Sequence, residues 1–226
     1  DHTIAGIQKD RKIHMSGNNG HFGGQYKPLG SGEVALIEDA VLRVFSEVGF
    51  QANLPEAREL FKKAGAEVDD STTVVKVSPD MVRELIGRAP SSVWLCGRAP
   101  DTSLDHEITG TSVVTGTGGT ALNVLEPGKT ERLLSRLSDI ANMARIVDHM
   151  ENIHVFMLNV YPHELPEDQI DVNRFFAALS NTSKHVMGGV YTVEGVRNVI
   201  DMGRIIAGSA DALRERPFIS MVTCVI

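Results

Sequence analysis

The chain has 226 residues, 22 Lys and Arg against 29 Asp and Glu, a formal charge of −7, and 42 % hydrophobic residues. That balance belongs to a folded globular chain and excludes disorder, collagen-like repeats and a disulfide scaffold. The acidic surplus, with no basic stripe, argues against nucleic acid and anionic membrane as partners, and no apolar run approaches the roughly 20 residues that cross a bilayer. Two cysteines without a CxxC pair, Cys96 and Cys224, suggest a reducing compartment, and the cytoplasm is the expected location. Asp1 to Gly30 has no cationic flank leading into an apolar core, so it does not read as a signal peptide.

Residues 1–31 are rich in Gly, Asn, His and Lys without a period and read as an irregular arm. From Glu33, Val34, Ile37, Val41, Val44, Phe45 and Val48 fall at helical spacing, with Gly49 as a stop. Pro55 opens a second helix carrying Ala57, Leu60, Phe61 and Ala64, closed by Gly65. Residues 72–77 are a strand by β-branching, and Ser78-Pro79-Asp80 starts a helix expected to bury Met81, Val82, Leu85 and Ile86. Residues 93–96 form another short strand, so residues 32–108 read as a helical α+β region.

Residues 109–226 alternate regularly. Strands are expected at 112–115, 153–160, 185–188 and 218–222, with helices over 137–150, 169–179 and 193–206. Apolar strands separated by helices mean a parallel sheet covered by helices, in a β/α barrel or a doubly wound sheet. The sequence stops on a strand, at Ile226, and this reads as the first four β/α units of a longer barrel. The expected fold class is therefore α/β, the first half of a TIM-type barrel preceded by a small α+β region.

Most of the tempting chemistry fails on spacing. Gly128-Lys129-Thr130 lacks the earlier glycine of a phosphate loop, since position 123 is Asn, and reads as a polar turn. Gly116-Thr117-Gly118-Gly119 is a weak dinucleotide match, with Ala at 121 and no acid-ended strand about twenty residues later. His163-Glu164 and Glu167-Asp168 do not place two histidines on one helix face, so no metal site is expected. His106, His149 and His154 lack partners at ligand spacing, and no Gly-x-Ser-x-Gly elbow is present. What remains is position: ligands bind beyond the carboxyl ends of parallel strands. Thr117, Gly118, Asn159, Tyr161, His163, Gly189, Tyr191 and Thr223 stand there and make an uncharged, partly aromatic pocket. Aromatic faces suit tertiary or quaternary ammonium groups through cation–π attraction.

An ordered series of short segments resembles the trimethylamine:corrinoid methyltransferase superfamily, which includes glycine betaine and other quaternary-amine members. The segments are Glu38 to Leu42, Val48-Gly49-Phe50, Ala64 to Asp69, Val77 to Val82, Ala89-Pro90-Ser91 and Leu95-Cys96-Gly97-Arg98. Gly116 to Ala121 and Arg216 to Ser220 complete it. The resemblance runs from about Glu33 to Ile226 and implies a longer protein folded as a β/α barrel. It also implies transfer of a methyl group from a small methylated amine to the cobalt of a cobalamin-type corrinoid. A separate partner protein supplies the corrinoid, which the enzyme itself does not bind tightly. Trimethylamine-type members use pyrrolysine in the second half, beyond this sequence, so the catalytic residues are not identified here. A homo-oligomer is expected, because half a barrel leaves its first and last strands unpaired. Other readings are a lyase or aldolase on the same alternation, for which no strand-end Lys or paired carboxylates stand in place, and a non-catalytic amine-binding fragment.

Overall fold

Glycines and caps at segment ends set where the elements begin and stop. A computed structural model describes residues 23–223, so Cys224 and most of the expected arm lie outside the described residues. The described residues form two compact units, one of Gly24–Ser91 and one of Gly23 with the residues from Ser92 onward.

In the first unit, α1 (Ser31–Arg43) runs into a π-helical turn (Val44–Val48), followed by β1 (Phe50–Gln51), α2 (Pro55–Ala64), β2 (Glu67–Asp69), β3 (Val74–Lys76) and α3 (Pro79–Gly87). Gly49 ends the first helix at φ 79°, and a Cβ there would stand 2.4 Å from the Val75 carbonyl, so only glycine fits. Gly65 closes α2 in the left-handed region, and the Ser78 hydroxyl caps α3 by accepting the Met81 N–H at 3.3 Å. The strands pair antiparallel in the order β1-β3-β2. Ala52, Val75 and Val77 are buried against Phe50, Phe61, Met81 and Val82.

Part of the core face expected on α3 is not core in this structure, and the apolar set at helical spacing before Gly49 is mostly exposed. On α3, Leu85 and Ile86 are exposed, and on α1 Leu42 is buried while Val34, Ile37 and Val41, with Val44 and Val48 of the π-helical turn, stand in solvent. The unit has too few elements to cover both sides of its helices, so each helix buries one narrow face and leaves the rest of its apolar surface bare.

The second unit begins with β4 (Val93–Leu95) paired antiparallel to β5 (His106–Ile108), then the hairpin β6 (Asn123–Leu125) and β7 (Arg132–Leu134). Gly128 turns that hairpin at φ 78°, so Gly128-Lys129 is the polar turn expected. Next come α4 (Leu137–Asp148), β8 (Val155–Met157), α5 (Glu167–Leu179), β9 (His185–Gly189), α6 (Val193–Ala207), α7 (Ala210–Glu215) and β10 (Ile219–Val222). β8, β9 and β10 are parallel and lie side by side in sequence order. The chain is α/β.

Residues 112–115 form no regular strand. The segment after them still runs along the free edge of β8, through isolated parallel bridges of Gly116 with Val155 and Ala121 with Val160. Between these bridges the Thr117 hydroxyl accepts the Met157 N–H at 2.8 Å and donates to the Met157 carbonyl at 2.7 Å. A side chain takes the place of a backbone ladder, which breaks the regular pairing.

Side chains alternate across a strand, and here one set meets the helices. Phe156, Leu158, Val160 and Val186 pack with Ile140, Ala144 and Val147 of α4, Phe175, Ala178 and Leu179 of α5, and Val199 of α6. Gly188 allows this approach, since a Cβ there would meet Leu158 Cδ1 at 2.4 Å. The alternate set, Met157, Asn159, Met187 and Ser220, belongs to the other face of the sheet.

The amino end of the sheet is held by polar groups. Lys184, almost fully buried, donates to the carbonyls of Val147, Met150 and Ile153, which finish α4 and lead into β8. His185 donates from Nδ1 to the Cys96 carbonyl at 3.0 Å, and its Nε2 accepts the Ser220 hydroxyl at 2.7 Å. Burial pushes its pKa below the usual histidine value, in keeping with a neutral ring. Two segments that carry the family resemblance meet here. The Cys96 N–H donates to the Pro217 carbonyl, Arg216 pairs with Asp105 at 3.0 Å, and the Arg98 guanidinium lies over the Phe218 ring. They are a structural clamp, at the end of the sheet opposite to the one where ligands are expected.

Candidate functional site

The carboxyl end of the parallel sheet gathers three rings. Tyr161, following β8, lies edge-on to His163 at 5.0 Å and to Tyr191, following β9, at 5.8 Å between centroids. Tyr161 is half-buried, whereas His163 and Tyr191 are exposed. The main chain explains this placement. Ala121 N–H donates to the Asn159 carbonyl at 2.8 Å and Tyr161 N–H to the Ala121 carbonyl at 3.0 Å, so β8's exit is tied to the Gly116–Ala121 segment. His163 Nε2 donates to the Leu122 carbonyl, and the buried Ser135 hydroxyl donates to the Tyr161 carbonyl, both fixing the loop to the β6–β7 hairpin.

Beneath the rings lies Arg174 of α5, fully buried, with its guanidinium carbon 5.3 Å from the Tyr191 ring centroid. It donates to the carbonyls of Leu158 and Gly189 and to the Thr120 hydroxyl, at 3.2–3.4 Å. Its Nε is buried without a hydrogen-bond partner. Burial lowers its pKa from the usual arginine value, and the nearby Tyr191 and Asp171 partly oppose that shift. One turn earlier on the same helix, buried Asp171 accepts the N–H groups of Tyr191 and Thr192 at 3.1 Å and the Thr192 hydroxyl. A carboxylate at the start of α6 suits the positive end of its dipole. It also fixes the backbone that carries Tyr191.

Of the eight residues expected at the site, Tyr161, His163 and Tyr191 come together, and Gly189 joins them through its carbonyl on Arg174. Asn159 stands at the exit of β8 with its side-chain oxygen buried and without a hydrogen-bond partner, a group able to take a donor. The Thr117 hydroxyl is engaged by β8. Gly118 is exposed, and no atom lies within 4 Å of where its Cβ would stand. Thr223 is exposed beyond β10, with β9 between it and β8.

Sequence reasoning passed over Arg174 and Asp171. The signal was present: Ile170, Asp171, Arg174, Ala177 and Ala178 share the buried face of α5, and two charges on a core stripe are unusual enough to mark a site. A hollow of about 920 Å³ between α5 and α6, lined mainly by apolar side chains such as Val172, Phe176, Met202 and Ile205 with Arg98 and Asp201 among them, does not include these groups. Among the described residues, no cluster of three or more His, Cys, Asp or Glu is placed to hold a metal ion, and no helix is long and apolar enough to cross a membrane.

An α/β chain with an aromatic, arginine-backed site at the carboxyl end of parallel strands is a common enzyme arrangement. Comparison with known proteins narrows it: residues 8–225 match the trimethylamine methyltransferase (MTTB) family, and the chain belongs to that family. It is 32 % identical over 192 residues to a trimethylamine methyltransferase of Desulfitobacterium hafniense, a match covering 85 % of this chain and 38 % of the relative. The corresponding enzyme of Methanosarcina thermophila is 33 % identical over 195 residues, covering 85 % of this chain and 40 % of the relative. A glycine betaine methyltransferase of D. hafniense is 22 % identical over 194 residues, again with 85 % of this chain and 40 % of the relative covered. The chain thus spans about two fifths of the length of these relatives.

Proposed function

We propose that the full-length protein moves a methyl group from a tertiary or quaternary methylamine to the cobalt of a corrinoid carried by a separate protein. The observation that carries this reading is the pairing of Tyr161 with Tyr191 at the sheet's carboxyl end, in a chain whose relatives are named for trimethylamine and glycine betaine. A quaternary ammonium presents a diffuse positive charge without an N–H donor, a protonated tertiary amine adds a single N–H, and ring faces hold the methylated surface of both. The reaction breaks an N–CH3 bond, and the departing amine leaves neutral only if its nitrogen stays cationic until then. The faces of Tyr161 and Tyr191 meet that need, because a neutral phenol ring holds the cation without taking a proton from it. Arg174 fills one side of Tyr191, so the amine would meet Tyr161 or the other face of Tyr191. Orientation then supplies the rate, by holding the N–CH3 bond in line with its acceptor.

The corrinoid, bound to its own protein, would supply a nucleophilic cobalt(I) centre. This chain's part is to leave the mouth uncrowded: Gly118 and Gly119 both face open space beside the rings' strand. Sequential parallel strands with helices on one face are consistent with the opening part of a β/α barrel, with the bare face as its interior. The β10 edge would be covered by further strands or by another copy.

The test is methyl transfer by the full-length protein to a cobalt(I) corrinoid protein, read by the cobalt absorption change, with trimethylamine and glycine betaine as donors. Transfer from at least one amine is expected. Transfer from neither, by a folded protein, would remove this reading. The comparison of the two amines also separates a site that accepts a carboxylate from one that takes the cation alone.

A further inference from the structure

Two charges on the buried face of α5, Asp171 and Arg174, converge on one short loop. Residues 190–192 join β9 to α6 without regular structure, and fixing such a backbone costs conformational entropy. Here the loop is fixed in advance. Both Asp171 oxygens accept the Tyr191 N–H at 3.1 Å, and Oδ2 also takes the Thr192 N–H at 3.1 Å and the Thr192 hydroxyl at 3.2 Å. Arg174 holds the Gly189 carbonyl upstream and lies 5.3 Å from the Tyr191 ring centroid.

Starting α6 does not account for this arrangement. The Thr192 hydroxyl is the N-cap and accepts the Gly195 N–H at 2.9 Å, so the helix start is capped without Asp171. Burying a carboxylate costs free energy that only hydrogen bonds offset, and Gly195 makes room for it, since a Cβ there would stand 2.0 Å from Oδ2. The contact with the Tyr191 N–H lies outside the helix. What it fixes is the residue that carries an exposed ring, edge-on to Tyr161 and backed on one side by Arg174.

We propose that Asp171 is a positioning residue for the amine site: its carboxylate fixes the Tyr191 backbone, so that the ring's open face is in place before substrate arrives. This rests on the reading of the aromatic site given above and adds the buried group that sets its affinity. A loop ordered beforehand spares the ordering that binding would otherwise require.

The test is a double-mutant cycle of Asp171→Asn with Tyr191→Leu in the full-length protein, read as KM and kcat for methyl transfer from the amine to the cobalt(I) corrinoid protein. Asn keeps the size of the carboxylate but turns an NH2 group toward the loop's N–H donors. With Tyr191 present it should raise KM by about three-fold or more, and by no more than Tyr191→Leu does. In the Tyr191→Leu background the same change should leave KM within about 1.5-fold. The cycle separates positioning from charge, because a carboxylate that merely attracts the cation would be missed equally in both backgrounds. KM separates positioning from stability, because a poorly folded variant loses active enzyme, and hence kcat, at unchanged KM. Ile140→Val, a core truncation on α4, should keep the parent KM. Should Asp171→Asn fail to fold, Thr192→Val, which removes only the hydroxyl from Asp171, carries the same cycle. Unchanged KM, an equal rise in both backgrounds, a fall in kcat alone, or a Tyr191→Leu protein with the parent KM overturns the proposal while methyl transfer by the parent stands. No transfer from either amine by the parent overturns the site reading, and this proposal with it.

Discussion

Gly195→Ala should destabilise the protein by roughly 3 kcal/mol, the upper end of what overpacking costs. Helix propensity alone points the other way, since alanine in a helix is favoured over glycine by about 1 kcal/mol. The clash decides. A Cβ at position 195 would stand 2.0 Å from Asp171 Oδ2 and 2.7 Å from Asp171 Cβ, and Asp171 is pinned by the backbone N–H groups at the start of α6. In an Asp171→Ala background the nearest clash disappears and only the Cβ contact remains. The glycine substitution should therefore cost about 1 kcal/mol less there than in the parent. Urea unfolding of the four proteins in this cycle measures both quantities, and simple additivity would show that Asp171 is not what excludes the methyl group.

Stability should also fall steeply between pH 6.5 and about pH 4. Burial, reinforced by the neighbouring His154 ring at 4.6 Å, lowers the His106 pKa to about 4 from an unfolded value near 6.5. Across that interval the unfolded chain takes up a proton that the folded chain refuses, so stability is full above pH 6.5 and is lost as the pH falls toward 4. The loss amounts to up to about 3 kcal/mol. Burial lowers the His185 pKa as well, with the same sign. His106→Gln should flatten the urea midpoint between pH 7 and pH 4.5 while leaving the His185 contribution. Parallel profiles for parent and variant would assign the acid sensitivity to other groups.

The sequence made the covered parallel strands and the helix ends legible because local chemistry dictates them. Pro55, Gly65 and the Ser78 cap mark boundaries that the structure keeps, and the alternation of apolar strands with helices from position 137 onward appears as β8, β9 and β10 in sequence order. The hairpin of β6 and β7 was not legible, since Asn123-Val124-Leu125 and Arg132-Leu133-Leu134 are short and weakly β-branched. At the strand expected over 112–115 the Thr115 N–H goes to the His154 ring, and the Thr117 side chain holds the following segment to Met157, tertiary contacts with no local signature. Leu85 and Ile86 read as part of a core face because periodicity reports that a helix is amphipathic, not what covers its apolar side.

At the site, strand-end position was enough to bring forward Tyr161, His163 and Tyr191. It could not show that Thr117's hydroxyl is already engaged or that Arg174 lies under the rings. Nor could it show that the His106 and His154 rings meet at 4.6 Å, since their partnership depends on how β5 lies beside the entry to β8. Each of these is a long-range contact, fixed by packing rather than by neighbouring residues.

The amine site itself is tested most directly by affinity in the full-length protein. Leu and Phe are placed in turn at positions 161 and 191, and trimethylamine and glycine betaine binding is measured by calorimetry. A cation–π contact contributes roughly 0.5–2 kcal/mol, so Leu at the ring that faces the substrate should weaken binding by about two-fold to about thirty-fold. Phe keeps the ring face and should bind nearly as the parent does. Leu variants that bind both amines as tightly as tyrosine at both positions would contradict the account and leave the paired rings a purely structural role.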